Sequence, residues 1–199
     1  MNLGKMPLRH AVLIAFGFWL ATAHVPATAD ETGWKLLKAG GRVLVLRHAL
    51  TTPGSGDPDG FRIDDCATQR NLVEEGREQA RRFGQLLRER GIAIERVMSS
   101  AWCRCVETAR LLDPGEVEVE PALNNLYGRP QLRIAQTAAL REIVTEWTGT
   151  GNLLLVTHGA NVHALIGINP AVAAGVVLSP APMADEGFRL AGRIAWDDR

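Results

Sequence analysis

Two histidines, His48 and His158, follow closely on apolar runs, Arg42-Val43-Leu44-Val45-Leu46 and Leu153-Leu154-Leu155-Val156. An imidazole that is neutral near physiological pH can act as nucleophile or proton carrier. Arg47 adjoins the first histidine, and Arg104 starts a helical stretch after Met98-Ser99-Ser100, where backbone N–H groups and the helix dipole favour an anion. Guanidinium groups match phosphate oxygens through planar, paired donors. Two arginines and two histidines at one rim would form a compact cationic cup. The chain around it is neutral, with 22 Lys+Arg against 22 Asp+Glu. Such a cup suits phosphoryl chemistry, because its charge is local and its histidines can accept a transferred group.

The surrounding elements must bring together histidines that are 110 residues apart. Both apolar runs have the continuous hydrophobicity of strands buried on two faces of a parallel sheet. In open α/β sheets the functional crevice lies beyond the carboxyl ends of the strands, so neighbouring strands would deliver His48 and His158 to one rim. A helical lead-in spans 34–38. An irregular loop follows His48 from Thr51 to Asn71, rich in Pro, Gly, Ser and Asp at first. An amphipathic helix is expected over 72–90, with Ala80, Phe83, Leu86 and Leu87 on one face, ended by Gly91. Further strands are expected at 95–99 and 117–119, and helices at 101–112, 131–147 and 160–167. Pieces at 175–178 and 190–196 read as edge strands. Alternating strands and helices predict a three-layer α/β sandwich with a mainly parallel central sheet flanked by helices.

At 199 residues and 46% hydrophobic content the chain accommodates one core. No internal repeat or long linker divides it. The balanced charge gives no general attraction for nucleic acid. Lys5 and Arg9, the apolar stretch from Ala11 to Leu20 and the triplet Ala27-Thr28-Ala29 read as a signal peptide over 1–29, leaving a domain over 30–199. A second cleavage site follows Ala23. The apolar run is shorter than the about 20 residues that span a bilayer, so no stable membrane anchor is expected after cleavage, and the destination is periplasmic or secreted. Three cysteines, Cys66, Cys103 and Cys105, then enter a disulfide-permissive compartment, where one pair and one spare is the simple arithmetic. Cys103 and Cys105 point about 200° apart around a helix, so only one of them can face Cys66. The spacing is not that of a zinc site, and no metal or cofactor is expected.

Leu46-Arg47-His48-Ala49, the run from Ser99-Ser100 through Cys103-Arg104-Cys105 to Thr108-Ala109, and Val156-Thr157-His158-Gly159 resemble in order and spacing the three signatures of the histidine phosphatase superfamily, also called phosphoglycerate mutase-like. The resemblance covers about 40–170 and suggests an exported phosphatase branch. It implies that His48 is the nucleophile, that Arg47 and Arg104 grip the phosphoryl oxygens, and that His158 hydrogen-bonds the transferred group. It also points to Cys103 as the partner of Cys66. The chain departs from the family at Ala49, where glycine is usual. It also departs at the proton donor: the usual positions carry Leu123-Asn124-Asn125-Leu126 and Gly159 rather than a carboxylic acid. Asp57, Asp64 and Asp65 in the long loop are the replacement candidates, and Arg70 and Asn161 are candidate substrate-binding residues. The implied activity is phosphomonoester hydrolysis through phosphohistidine, on a small phosphorylated metabolite, a sugar phosphate or an envelope component. The alternatives are a phosphate-binding pseudoenzyme and a phosphoglycerate mutase-type phosphotransferase.

Overall fold

The computed structural model describes Met1 and residues 29–194. The segment read as a leader therefore lies outside the described residues, apart from its two ends. Among the described residues no helix is long and apolar enough to cross a membrane.

The chain runs α1 (Ala29–Ala39), β1 (Val43–Arg47), α2 (Glu74–Glu89), β2 (Ile94–Ser99), α3 (Cys103–Leu112), β3 (Val117–Val119), α4 (Arg133–Thr145), β4 (Asn152–Thr157), α5 (Gly159–Ile166), β5 (Gly175–Pro180) and β6 (Phe188–Ile194). The six strands form one sheet in the order β3-β2-β4-β1-β5-β6. β3, β2, β4 and β1 are mutually parallel, whereas β5 is antiparallel to both β1 and β6. The expected α/β architecture, a mostly parallel sheet flanked by helices, is present.

Alternation along the central strands feeds two cores. Leu44, Leu46, Leu154 and Val156 face α1, α2 and α3, where they pack with Leu37, Phe83 and Leu112. Val43, Val45, Leu153 and Leu155 face α4 and α5, with Leu140, Val144 and Val162. This two-sided burial is why β1 and β4 read as continuous apolar runs. α2 and α3 approach closely: a Cβ on Gly84 would stand 2.0 Å from the Leu112 carbonyl oxygen, so only glycine fits that crossing. The Arg77 Nε also donates to Glu107 Oε1 at 2.7 Å across this pair.

Two expectations change. β5 is not an edge strand but lies inside the sheet between β1 and β6. Hydrogen bonds from Ala173 N to His48 O and from Arg47 N to Ala174 O bring the chain in at the carboxyl end of β1, so the next strand runs back along it. Helix α2 begins at Glu74 rather than 72, because Leu72 instead bridges to Thr51 and holds the long loop against the rim.

Candidate active site

The register of the sheet places the histidines side by side. Arg47 pairs with Thr157 as the last rung between β1 and β4, and His48 N donates to Thr157 O at 2.9 Å. His48 and His158 are thus the next residues on two neighbouring strands, with ring centroids 5.4 Å apart. Both are 3% exposed.

The His48 Nδ1 lies 2.8 Å from the Ala49 carbonyl oxygen. A carbonyl can only accept, so Nδ1 carries the proton and Nε2 keeps a free lone pair. Burial pushes the His48 pKa down to about 3, assisted by the charges of Arg104, Arg47 and Arg70 and opposed by the bond to Ala49. The ring is therefore neutral and oriented at physiological pH, with the Nε2 lone pair that a nucleophile requires. His158 is likewise held well below the ordinary histidine range, first by burial and then by the neighbouring His48, Arg104 and Arg129. Its Nδ1 faces the Arg104 Nη2 at 3.5 Å and its Nε2 faces the Ser100 hydroxyl at 2.8 Å. Since the guanidinium only donates, the neutral ring carries its proton on Nε2, toward Ser100. An arriving phosphoryl dianion would favour the imidazolium form, giving Nδ1 a proton to donate.

Arg104 sits in the first turn of α3 with its side chain 1% exposed. Its Nη1 and Nη2 donate to the Asp57 carboxylate at 2.6 and 3.2 Å. Asp57 Oδ1 also accepts from Arg70 N at 3.2 Å, and Oδ2 accepts from Trp102 Nε1 at 2.9 Å. Burial would raise the Asp57 pKa, but the hydrogen bonds and charge of Arg104, with the help of Trp102 and Arg70 N, outweigh it and hold the group below the usual carboxylate range. Asp57 is thus an ionised strut that fixes Arg104, not a carboxylic acid with a proton to give. Arg47 anchors its Nη1 on Pro170 O at 2.9 Å, and Arg70 donates to Thr52 O and Gly54 O. Arg47, Arg70 and Arg104 each have a buried Nε without a hydrogen-bond partner among the described residues.

These groups open into a cavity of about 500 Å³, a size that suits a small metabolite. It is lined by Arg47, His48, Arg70, Arg104 and His158 and, among the described residues, by no carboxylate. Asp64 and Asp65 are not brought to it: both pair with Arg62 on the exposed loop, and Asp65 also caps the turn at Cys66–Thr68. Asn161 is also absent from the lining. Its side chain braces the rim loop by donating to Asn124 O and accepting from Leu126 N. Sequence reasoning missed Arg129 and Arg133 as lining residues and did not assign the lining role of Asn125. Their only sequence signal is a position beyond the carboxyl end of β3, on the same rim as the histidines.

The Cys66–Cys103 disulfide joins the long loop to the first residue of α3, and Cys105 stays buried as a free thiol. Gln69 strengthens the same seam, its Oε1 accepting from Cys103 N at 3.0 Å. The cross-link spans 37 residues, for which the chain-entropy argument gives up to about 4 kcal/mol. Nonreducing peptide mapping should recover a Cys66–Cys103 link, and the Cys66→Ala/Cys103→Ala variant should unfold at a lower urea concentration. An unchanged midpoint would show that the bond does not stabilise the fold.

A sequence profile for the histidine phosphatase superfamily (branch 1) matches residues 43–131. No curated protein sequence matches the chain. Among solved structures, one described as the phosphohistidine phosphatase SixA from Agrobacterium tumefaciens superposes with a TM-score of 0.55 at 20% identity, covering 79% of this chain and 99% of that one. A mycobacterial glucosyl-3-phosphoglycerate phosphatase gives 0.56 at 20% identity, with 77% and 98% covered. The protein histidine phosphatase SixA complexed with tungstate gives 0.51 at 18% identity, with 77% and 96% covered. At these identities the structures share the fold. The profile match spans β1, the long loop and the Arg104 helix, so this part of the chain is similar to the histidine phosphatase superfamily, branch 1.

Proposed function

We propose that the protein is an exported phosphomonoester hydrolase that works through a phosphohistidine on His48, acting on a small phosphorylated metabolite or envelope component. The observation that carries this reading is the oriented His48 ring: Nδ1 is committed to the Ala49 carbonyl, and the unprotonated Nε2 belongs to an arginine-lined cavity. Export is supported by the leader-like pattern of 1–29.

In the first step, Nε2 attacks phosphorus in line with the scissile bond, and the leaving group departs with the bonding electron pair. Arg47, Arg70 and Arg104 stabilise charge on the equatorial oxygens, with Arg104 held in place by Asp57. His158 hydrogen-bonds the phosphoryl group. Water then attacks the phosphohistidine, the N–P electron pair returns to Nε2, and inorganic phosphate leaves. The mutase-type alternative is disfavoured because no carboxylate lines the cavity to manage the proton of a sugar or glycerate hydroxyl.

Without a general acid, the rate depends on the leaving group. Across a series from nitrophenyl to alkyl phosphates, kcat/KM should fall steeply, including the factor of about 10² to 10⁴ that a positioned acid contributes. Asp64→Asn and Asp65→Asn should leave this slope unchanged, and Asp57→Asn should lower all members together through Arg104. A shallow series in the wild type, or a slope steepened by one of these replacements, would identify a proton donor and overturn the acid-free step.

A further inference from the structure

The cavity holds more positive charge than one phosphoryl group uses. Five arginines line it. Three of them, Arg47, Arg70 and Arg104, lie close enough for their charges to bear on His48. The other two, Arg129 and Arg133, come from the segment after β3 and from the first residue of α4. Arg129 is fixed: its Cζ lies 5.0 Å from the Trp102 ring centroid and 5.4 Å from that of Phe61, and its Nη1 donates to the Asn125 and Tyr127 carbonyls. The Trp102 ring is itself 5.6 Å from the His158 ring, which puts this guanidinium beside the phosphoryl-binding end of the cavity. Arg133 is exposed and has no ion pair among the described residues. Neither residue is neutralised by a carboxylate in the lining.

Two features of one cavity thus need an explanation, the missing acid and the surplus cations. A distant carboxylate on the substrate would account for the cations and leave the acid unexplained. An anionic leaving group accounts for both. A departing phosphate, whose second pKa is about 6, leaves at neutral pH without a proton, and guanidiniums that tighten on it as charge develops lower the barrier directly. We propose that beyond phosphomonoesters the substrates include phosphoanhydrides, diphosphates of a small organic group, whose terminal phosphoryl goes to His48 and whose penultimate phosphate is held by Arg129 and Arg133.

This rests on His48 being the nucleophile. The His48 Nε2 lone pair forms the N–P bond, the bridging P–O bond breaks, and its electron pair leaves with the penultimate phosphate as an organic monophosphate. Water then cleaves the N–P bond, its hydroxyl stays on the released phosphate, and its second proton goes to solvent.

The test compares ethyl diphosphate with ethyl phosphate, using nitrophenyl phosphate as a reference substrate. Wild-type kcat/KM for the diphosphate should exceed that for ethyl phosphate by about 10² or more. In Arg129→Met/Arg133→Met, the ratio of diphosphate to nitrophenyl phosphate turnover should fall about tenfold or more, in keeping with the loss of leaving-group stabilisation. A fold defect lowers both rates and leaves the ratio unchanged. If the double variant does not fold, Arg133→Met alone, at an exposed position, gives the same readout. An unaltered ratio in a folded variant, or nitrophenyl phosphate turnover without diphosphate turnover, overturns the proposal while leaving the phosphatase reading intact. Absence of turnover on all three substrates overturns that reading, and this inference with it.

Discussion

The His48→Ala variant is expected to lose turnover of nitrophenyl phosphate by about 10⁴-fold or more, the scale seen when a covalent nucleophile is removed. The expectation follows from the tautomer. The Nδ1 proton is spent on the Ala49 carbonyl, Nε2 is the free lone pair, and burial keeps the ring uncharged down to about pH 3. His158 is equally buried, but its Nε2 is engaged by Ser100 and its Nδ1 faces Arg104, so it has no lone pair directed at phosphorus to substitute. His48→Asn retains a polar group of similar reach and should be as inactive as His48→Ala, because an amide nitrogen is not nucleophilic. A rate within tenfold of wild type in either variant would place the nucleophile elsewhere.

Arg104→Ala is expected to lower kcat about 10² to 10³-fold, the cost of removing one preorganised donor from developing charge. The replacement also strands Asp57, a carboxylate that is 2% exposed and would keep only Trp102 and a backbone N–H as partners. Breaking a buried pair from one side typically destabilises by about 3 to 5 kcal/mol. The two effects separate in Asp57→Asn/Arg104→Ala. Removing the stranded charge should restore much of the stability, measured by urea unfolding, while the kcat deficit remains. A loss confined to KM would mean that Arg104 binds substrate and transition state equally well. Recovery of kcat along with stability would mean that its role is structural only.

The part of this site that could be read from the sequence is the part set by the sheet. β1 and β4 are buried on both faces, so their apolar runs end visibly at the rim, and the rim is where His48 and His158 must be. The antiparallel course of β5 was not visible in its residues, because Val176, Val177 and Leu178 are as apolar as any parallel core strand. Its direction is imposed by the hydrogen bonds of Ala173 and Ala174 at the end of β1. Asp57 reads from the sequence as a candidate proton donor, because its pairing is entirely tertiary: Trp102 and Arg104 reach it across more than forty residues of sequence. The lining positions of Arg129 and Arg133 are hidden in the sequence for the same reason. Asn161 carried the opposite lesson. A polar residue next to the rim on α5 suggested substrate contact, yet the buried backbone of the 124–126 loop needs its amide more.

The mechanism requires a covalent bond between phosphorus and His48, and trapping that bond tests it most directly. Radiolabelled phosphoryl substrate mixed with enzyme and quenched in alkali during turnover should leave label on the protein that survives base and is lost in acid. Peptide mapping should place it on His48, and the His48→Ala variant should carry none. Label mapped to any other residue, or an unlabelled wild-type enzyme at a time when single-turnover hydrolysis is under way, would contradict the mechanism.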